Sequence, residues 1–149
     1  MKNFFKKSFI ILVLFISFLL VTITSYANNV FNDLSANIFR LHILANSDSK
    51  EDQSLKLKVR DGIIDYMEKI NKNSSSKTDV INFCKNNTNT LKEIAEKIIK
   101  ESGYDYKVEI EIGNFYFPTK NYANISLPAG YYDALQIKIG NANRKKLVV

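Results

Sequence analysis

Lys2, Lys6 and Lys7 precede an apolar run from Phe9 to Ile23, interrupted only by Ser17 and Thr22 and followed by Ser25-Tyr26-Ala27. A basic start, an apolar stretch and small residues at Ser25 and Ala27 form a signal-peptide layout with a cut after Ala27. Counted from Ser8 to Ala27, the same run approaches the roughly 20 residues that span a bilayer, so residues 1–27 read as a signal peptide or an N-terminal membrane anchor. In either case the remainder is exported and the lysines stay on the cytoplasmic side. Removing 27 of 149 residues leaves 122, residues 28–149. That length suits a single domain with its own core.

The formal charge of +6 shrinks with the leader, because three of the 21 basic residues and none of the 15 acidic ones lie in it. The exported part carries 18 basic against 15 acidic residues, a net +3, which removes the main argument for nucleic-acid binding. Cys84 is the only cysteine, so no intrachain disulfide can form and stability must come from packing. Between Phe83 and Lys85 it reads as a small buried hydrophobe.

Phe39, Leu41, Ile43 and Ala45 alternate with Arg40, His42 and Leu44, a period-two pattern that predicts a strand with Arg40 and His42 on its second face. Ser49 followed by Asp52 fits a capping box, with Asp48 and Glu51 also suiting a helix N-terminus, so a helix starts near Lys50 and runs to about Asn71. Leu55, Val59, Ile63, Tyr66, Met67 and Ile70 give its apolar face, and Gly62 marks a close contact. Leu57 and Ile64 lie half a turn away, flanked by Arg60, Asp61 and Glu68, a second stripe by which the helix either packs on two sides or meets a partner. Asn71 to Lys77 reads as a loop. Thr78 and Thr90 read as caps of two further helices, the second with Glu93–Lys97 and Glu96–Lys100 pairs and Gly103 as its left-handed C-cap.

Tyr106, Val108, Ile110 and Ile112 alternate with charged residues as a strand wet on one face, and Gly113-Asn114 reads as a turn or bulge. Leu135, Ile137 and Ile139 form a last strand ending at Gly140. The order predicts an α+β fold, a mostly antiparallel sheet with two or three helices packed on one face, behind the apolar leader helix.

Catalytic readings are thin. His42 is the only histidine, and one His with one Cys does not make a zinc site. Asp48 to Asp52 has the flavour of a calcium loop, but Gln53 and Val59 stand where glycine and glutamate belong. Glu109 and Glu111 share a strand face, as general acid and base would, yet solvated glutamates commonly do so. No cofactor, metal or small-molecule substrate is expected. The alternative to a binding role is a secreted cell-envelope hydrolase using His42 and nearby acids. A blander one is an anchored structural domain of the envelope.

The block from Arg40 to Asp61, together with Tyr116-Phe117-Pro118-Thr119-Lys120 and Leu127-Pro128-Ala129-Gly130, resembles the stage II sporulation protein R family over Arg40 to Gly140. The resemblance implies a protein made in the forespore and exported to the intermembrane space. There it would activate a membrane-embedded aspartic protease, the sigma-E-processing protease of the mother cell, without catalysis of its own. The motif positions carried over are Arg40, His42, Asn46, Ser47, Asp48, Asp52, Lys56, Lys58, Arg60, Asp61, Tyr116 to Lys120 and Leu127 to Gly130. The partner-binding candidates are therefore Arg40, His42, Asn46, Asp48, Asp52, Leu57, Arg60, Asp61, Ile64, Tyr116, Phe117, Pro118, Lys120, Pro128 and Gly130. Family members usually continue into a tryptophan-, cysteine- and proline-rich tail. This chain diverges after Asn143 into Arg144-Lys145-Lys146-Leu147-Val148-Val149 and has no tryptophan.

Overall fold

The computed structural model describes residues 2–70, 76–122 and 125–142, and the chain divides into two units, Met1–Ala36 and Asn37–Val149. Most of the expected loop, residues 71–75, and the end expected to diverge, residues 144–149, lie outside the described residues.

The first unit is one helix, α1 (Lys2–Asn37), which runs through Ala27 without a break. Its apolar side chains from Phe9 to Ile23 are exposed, and from Lys6 onward it is long and apolar enough to cross a membrane. The hydroxyls of Ser17, Thr22 and Thr24 donate back to carbonyls one turn earlier, at 2.8 to 3.0 Å. The polar residues that dilute the run are thus satisfied within the helix, as an apolar surrounding requires.

The second unit is α+β. Its sheet has three strands in the order β1 (Phe39–Leu44), β5 (Gly130–Ile139), β2 (Val108–Phe117). β5 is central: β1 runs parallel to it, with Phe39 opposite Asp133, and β2 antiparallel, with Val108 opposite Ile139 and Phe117 opposite Gly130. The sheet is therefore mixed. A second, two-stranded sheet of β3 (Lys120–Asn121) and β4 (Ser126–Leu127) projects from the β2–β5 connection.

Three helices, α2 (Lys50–Ile70), α3 (Lys77–Asn86) and α4 (Thr88–Glu101), pack on one face of the three-stranded sheet. Period two decides which face. Ile43, Leu135, Ile137, Ile139 and Val108 point into the helical layer and meet Leu55, Val59, Ile63, Cys84, Leu91, Ala95 and Ile99 in one buried core. Each large apolar side chain fully buried there contributes about 1.5 to 3 kcal/mol. Gly62 lets α2 approach α4: a Cβ there would lie only 2.3 Å from Ile98 Cδ1.

The capping chemistry refines the boundaries. Ser49 Oγ accepts the Asp52 N–H at 3.1 Å, as the capping box predicts. α3 is capped by Ser76, whose Oγ accepts from Asp79 N at 3.2 Å, rather than by Thr78. α4 begins at Thr88, before Thr90, because Thr88 Oγ1 bonds back to the Cys84 carbonyl at 2.9 Å and carries the chain from α3 almost directly into α4. On the α4 surface the ion pairs are Lys92–Glu96 and Lys97–Glu101, both at 3.9 Å, one residue out of step with the expected pairs. Gly103, at φ +86°, ends the helix in left-handed geometry, with Gly103 N–H bonded to Lys100 O and Tyr104 N–H to Ile99 O. Gly113-Asn114 is neither turn nor bulge. β2 keeps an unbroken register through both, and Asn114 Nδ2 donates to Asp133 Oδ1 across the pair at 3.0 Å.

Candidate functional site

The expected site residues separate into four places. The first is a clasp at the end of the sheet where β1 and β5 finish. Asp52 is buried beside the first turn of α2, and its carboxylate accepts from the Ser47 hydroxyl and from Asn46 Nδ2 at 3.0 Å. Asn46 Oδ1 in turn accepts the Asn141 N–H at 2.9 Å, while Gly140 N–H reaches Lys107 O at 2.8 Å and Gln53 Nε2 reaches Ser47 O at 2.8 Å. One amide side chain thereby ties the β1–α2 junction to the end of β5. The Ser47 hydroxyl, then the Asn46 amide and Tyr106 hydroxyl, hold the Asp52 carboxyl below the usual carboxylate range, against the opposing pull of burial. Asn46 and Asp52 are thus occupied in holding the fold. Asp48, between them in sequence, is exposed.

The second place is the sheet face away from the helices. Arg40, His42 and Phe117 converge there with Tyr132 and Gln136, two residues that strand periodicity places opposite Leu135 and Ile137. The Arg40 guanidinium lies 4.0 Å above the Phe117 ring and 5.2 Å from the Tyr132 ring. His42 meets Phe117 edge-on at 5.1 Å, and its Nδ1 is 3.3 Å from Gln136 Nε2. A hydrolytic triad would set a carboxylate at that nitrogen; here an amide occupies it. Tyr132 is fully buried and donates its hydroxyl to the Pro128 carbonyl at 2.8 Å. Among the described residues Arg40 Nη1 and Gln136 Oε1 are buried without a hydrogen-bond partner, which makes this the less completely satisfied side of the sheet. Glu111, one of the paired acids, is bridged by Lys138 at 2.8 Å.

The third place is the outer face of α2. Leu57 is 44 % exposed, Arg60 and Asp61 are exposed and paired only with each other in sequence, at 2.7 Å, and Ile64 is half-buried on the same face. The fourth is the far end of β2 with the β3–β4 hairpin. Tyr116, Pro118 and Lys120 are exposed there, while Pro128 is half-buried and Gly130 pairs with Phe117. Tyr131, opposite Tyr116, belongs to this place too and was not among the expected site residues. Its alternation with Tyr132 and the pairing of β5 with β2 were the signals for it.

Among the described residues no group of three or more His, Cys, Asp or Glu side chains could hold a metal ion. Cys84 is fully buried in the core and burial pushes its thiol up to about 11. The native protein is therefore expected to resist a maleimide at neutral pH and to react once urea unfolds it. Fast labelling of the folded protein would contradict the buried position.

The family model for stage II sporulation protein R matches residues 35–147, which takes in all four places. The chain belongs to the stage II sporulation protein R family. It is also 34 % identical over 104 residues to stage II sporulation protein R of Bacillus subtilis (strain 168), an alignment covering 70 % of this chain and 46 % of the relative. The chain thus spans about half the length of the curated relative it matches. No solved structure matches it. The block from Asn46 to Asp61 begins in the clasp and ends on the exposed face of α2.

Proposed function

We propose that residues 28–149 act as an exported sporulation signal that binds the extracytoplasmic part of a membrane-embedded aspartic protease and switches it on. The consequence is processing of the mother-cell sigma-E precursor. Membership of the family supports the sporulation role, and α1, an apolar helix fit for a signal peptide or an anchor, supports export. The intermembrane space around the forespore is the compartment in which such a signal acts.

One observation carries the choice of surface. Asn46, Ser47 and Asp52 are used up in the clasp, whereas Leu57, Arg60 and Asp61, in the same motif, stand exposed on one face of α2. An exposed aliphatic residue beside an arginine suits a recognition surface. The ligand activates only if this face fits the active protease more tightly than the inactive one.

The test is reconstitution of the full chain with the protease and its precursor substrate in membranes. The triple substitution Leu57→Asp, Arg60→Glu, Asp61→Lys is expected to abolish precursor cleavage while changing the unfolding midpoint little, because exposed substitutions usually stay within about 0.5 kcal/mol each. Full cleavage by the triple variant would move the contact elsewhere. His42→Asn is expected to retain cleavage, and its loss together with a loss of envelope hydrolysis would favour the hydrolase reading.

A further inference from the structure

Outside α1, the exposed large apolar side chains gather at one end of the second unit. β1 enters the sheet at Phe39, opposite Asp133, and two residues before Asp133 stands Tyr131, opposite Tyr116. These two rings are 63 % and 61 % exposed and meet edge-on at 5.5 Å. Beyond them the β3–β4 hairpin exposes Tyr122 and Ile125, closed by the Tyr122 N–H to Ile125 O bond at 2.8 Å. α2 returns toward the same end, since Met67 lines a groove with Phe39 and the first residue of α3, and Ile70 is exposed at the helix terminus. Of the exposed large apolar residues among those described in this unit, Leu57 alone lies on another surface.

Charge is sparse on the strands and hairpin that carry these rings. Between Glu111 and Asp133 the chain carries no acidic residue, and its one charged side chain there is Lys120. Asp133 is bridged by Lys77 at 2.7 Å. The opposite end of the sheet holds Asp48, Glu51 and Asp105 together with Lys50 and Lys107, all exposed. Tyrosines beside a lysine, on strand ends and a hairpin with no acid between Glu111 and Asp133, match the headgroup level of a bilayer, where an aromatic ring is half in hydrocarbon and its hydroxyl in water. The exposed acids near this end, Glu68 and Asp79, stand on the helices. The end that carries them is also the end at which the chain emerges from the apolar helix: Asn37 closes α1 and Phe39 opens β1.

We propose that this end of the domain is a lipid-contact surface, with Tyr116, Tyr122, Ile125 and Tyr131 seated in the headgroup region of an anionic bilayer and Lys120 facing its phosphates. A domain so seated keeps its tyrosine end on the membrane and the charged opposite end in water. The inference rests on export of the domain and not on the protease.

The chain contains no tryptophan, so single Tyr131→Trp, Tyr122→Trp and Leu57→Trp variants of the full chain each carry one reporter. They are reconstituted in phosphatidylglycerol vesicles whose acyl chains bear bromine. Tyr131→Trp and Tyr122→Trp are expected to emit further to the blue and to be quenched several-fold more than Leu57→Trp. Quenching of Tyr131→Trp no stronger than that of Leu57→Trp would overturn the proposal. So would shielding of Tyr131→Trp that develops only when protease-bearing membranes are added, because that marks a protein contact. Equal quenching in phosphatidylcholine vesicles would overturn the anionic preference. The readout needs no protease, so its failure is separate from failure of the signalling role.

Discussion

Asp52→Ala is expected to lower the unfolding free energy by about 3 kcal/mol, the largest effect of any single polar substitution considered for this domain. The reason is what the alanine leaves behind. The Ser47 hydroxyl and Asn46 Nδ2 both lose their acceptor in a partly buried place, and Asn46 is then free to release the Asn141 N–H that it holds. Urea unfolding of the wild type and variant gives the difference, and a loss under about 1 kcal/mol would mean that water replaces the carboxylate without penalty. The pH dependence has a definite sign. The folded Asp52 pKa is depressed, so its contribution is present above the unfolded carboxyl pKa of about 3.9 and is lost as pH falls through the lower folded value. Asp133, depressed by its hydrogen bonds from Lys77 and Asn114, acts in the same direction. The acid limb of stability should therefore flatten in Asp52→Ala, and flatten again if Asp133 is also replaced.

Gly140→Ala is expected to destabilise by about 2 to 3 kcal/mol, from two sources that a second substitution can separate. Gly140 has φ +61°, in the left-handed region where a Cβ is disfavoured, by about 1 to 2 kcal/mol. Its Cβ would also come within 2.4 Å of Asn46 Oδ1, which cannot retreat without breaking the bond to Asn141 N–H. In an Asn46→Ala background the amide clash is gone, and what remains is the backbone penalty with a 3.1 Å approach to the Cβ that alanine keeps. The double variant should thus lose less than the sum of the single ones, a coupling of about 1 kcal/mol measurable in a double-mutant cycle. Strict additivity would show that the two residues do not share the clasp.

Much of this arrangement was legible from spacing. Period two in Phe39 to Leu44 placed Arg40 and His42 on the face opposite the core, and helical spacing in Leu55 to Ile70 defined the buried side of α2. Gly62 and Gly103 were readable because each has one strong physical reason to be glycine, close approach in the first and positive φ in the second. The misreadings share a cause. Gly113-Asn114 carries turn chemistry locally, but ten consecutive pairs with β5 outweigh it. The helix starts moved, to a cap at Ser76 for α3 and to Asn87, which caps α4 without a side-chain bond, because where each helix begins depends on tertiary packing and not on which hydroxyl stands nearby. The clasp was half visible. The capping box announced Ser49 and Asp52, but nothing local told Asn46 that its partner would be Asn141, 95 residues away. The cluster around Gln136 was hidden likewise, because a polar residue among Leu135, Ile137 and Ile139 reads as the wet side of a strand until Arg40, His42 and Phe117 are seen to cover it.

The central strand of the sheet, β5, is also the last strand in the sequence. β1 and β2 have no pairing with each other and wait for it, β1 across a separation of more than 90 residues. Joining strands so distant in sequence is slow, because loop closure must precede any gain from pairing. For the export proposed above, this order means that β1 and β2 reach their common partner only once β5, which ends at Ile139, is available, so the sheet cannot close on a partly translocated chain.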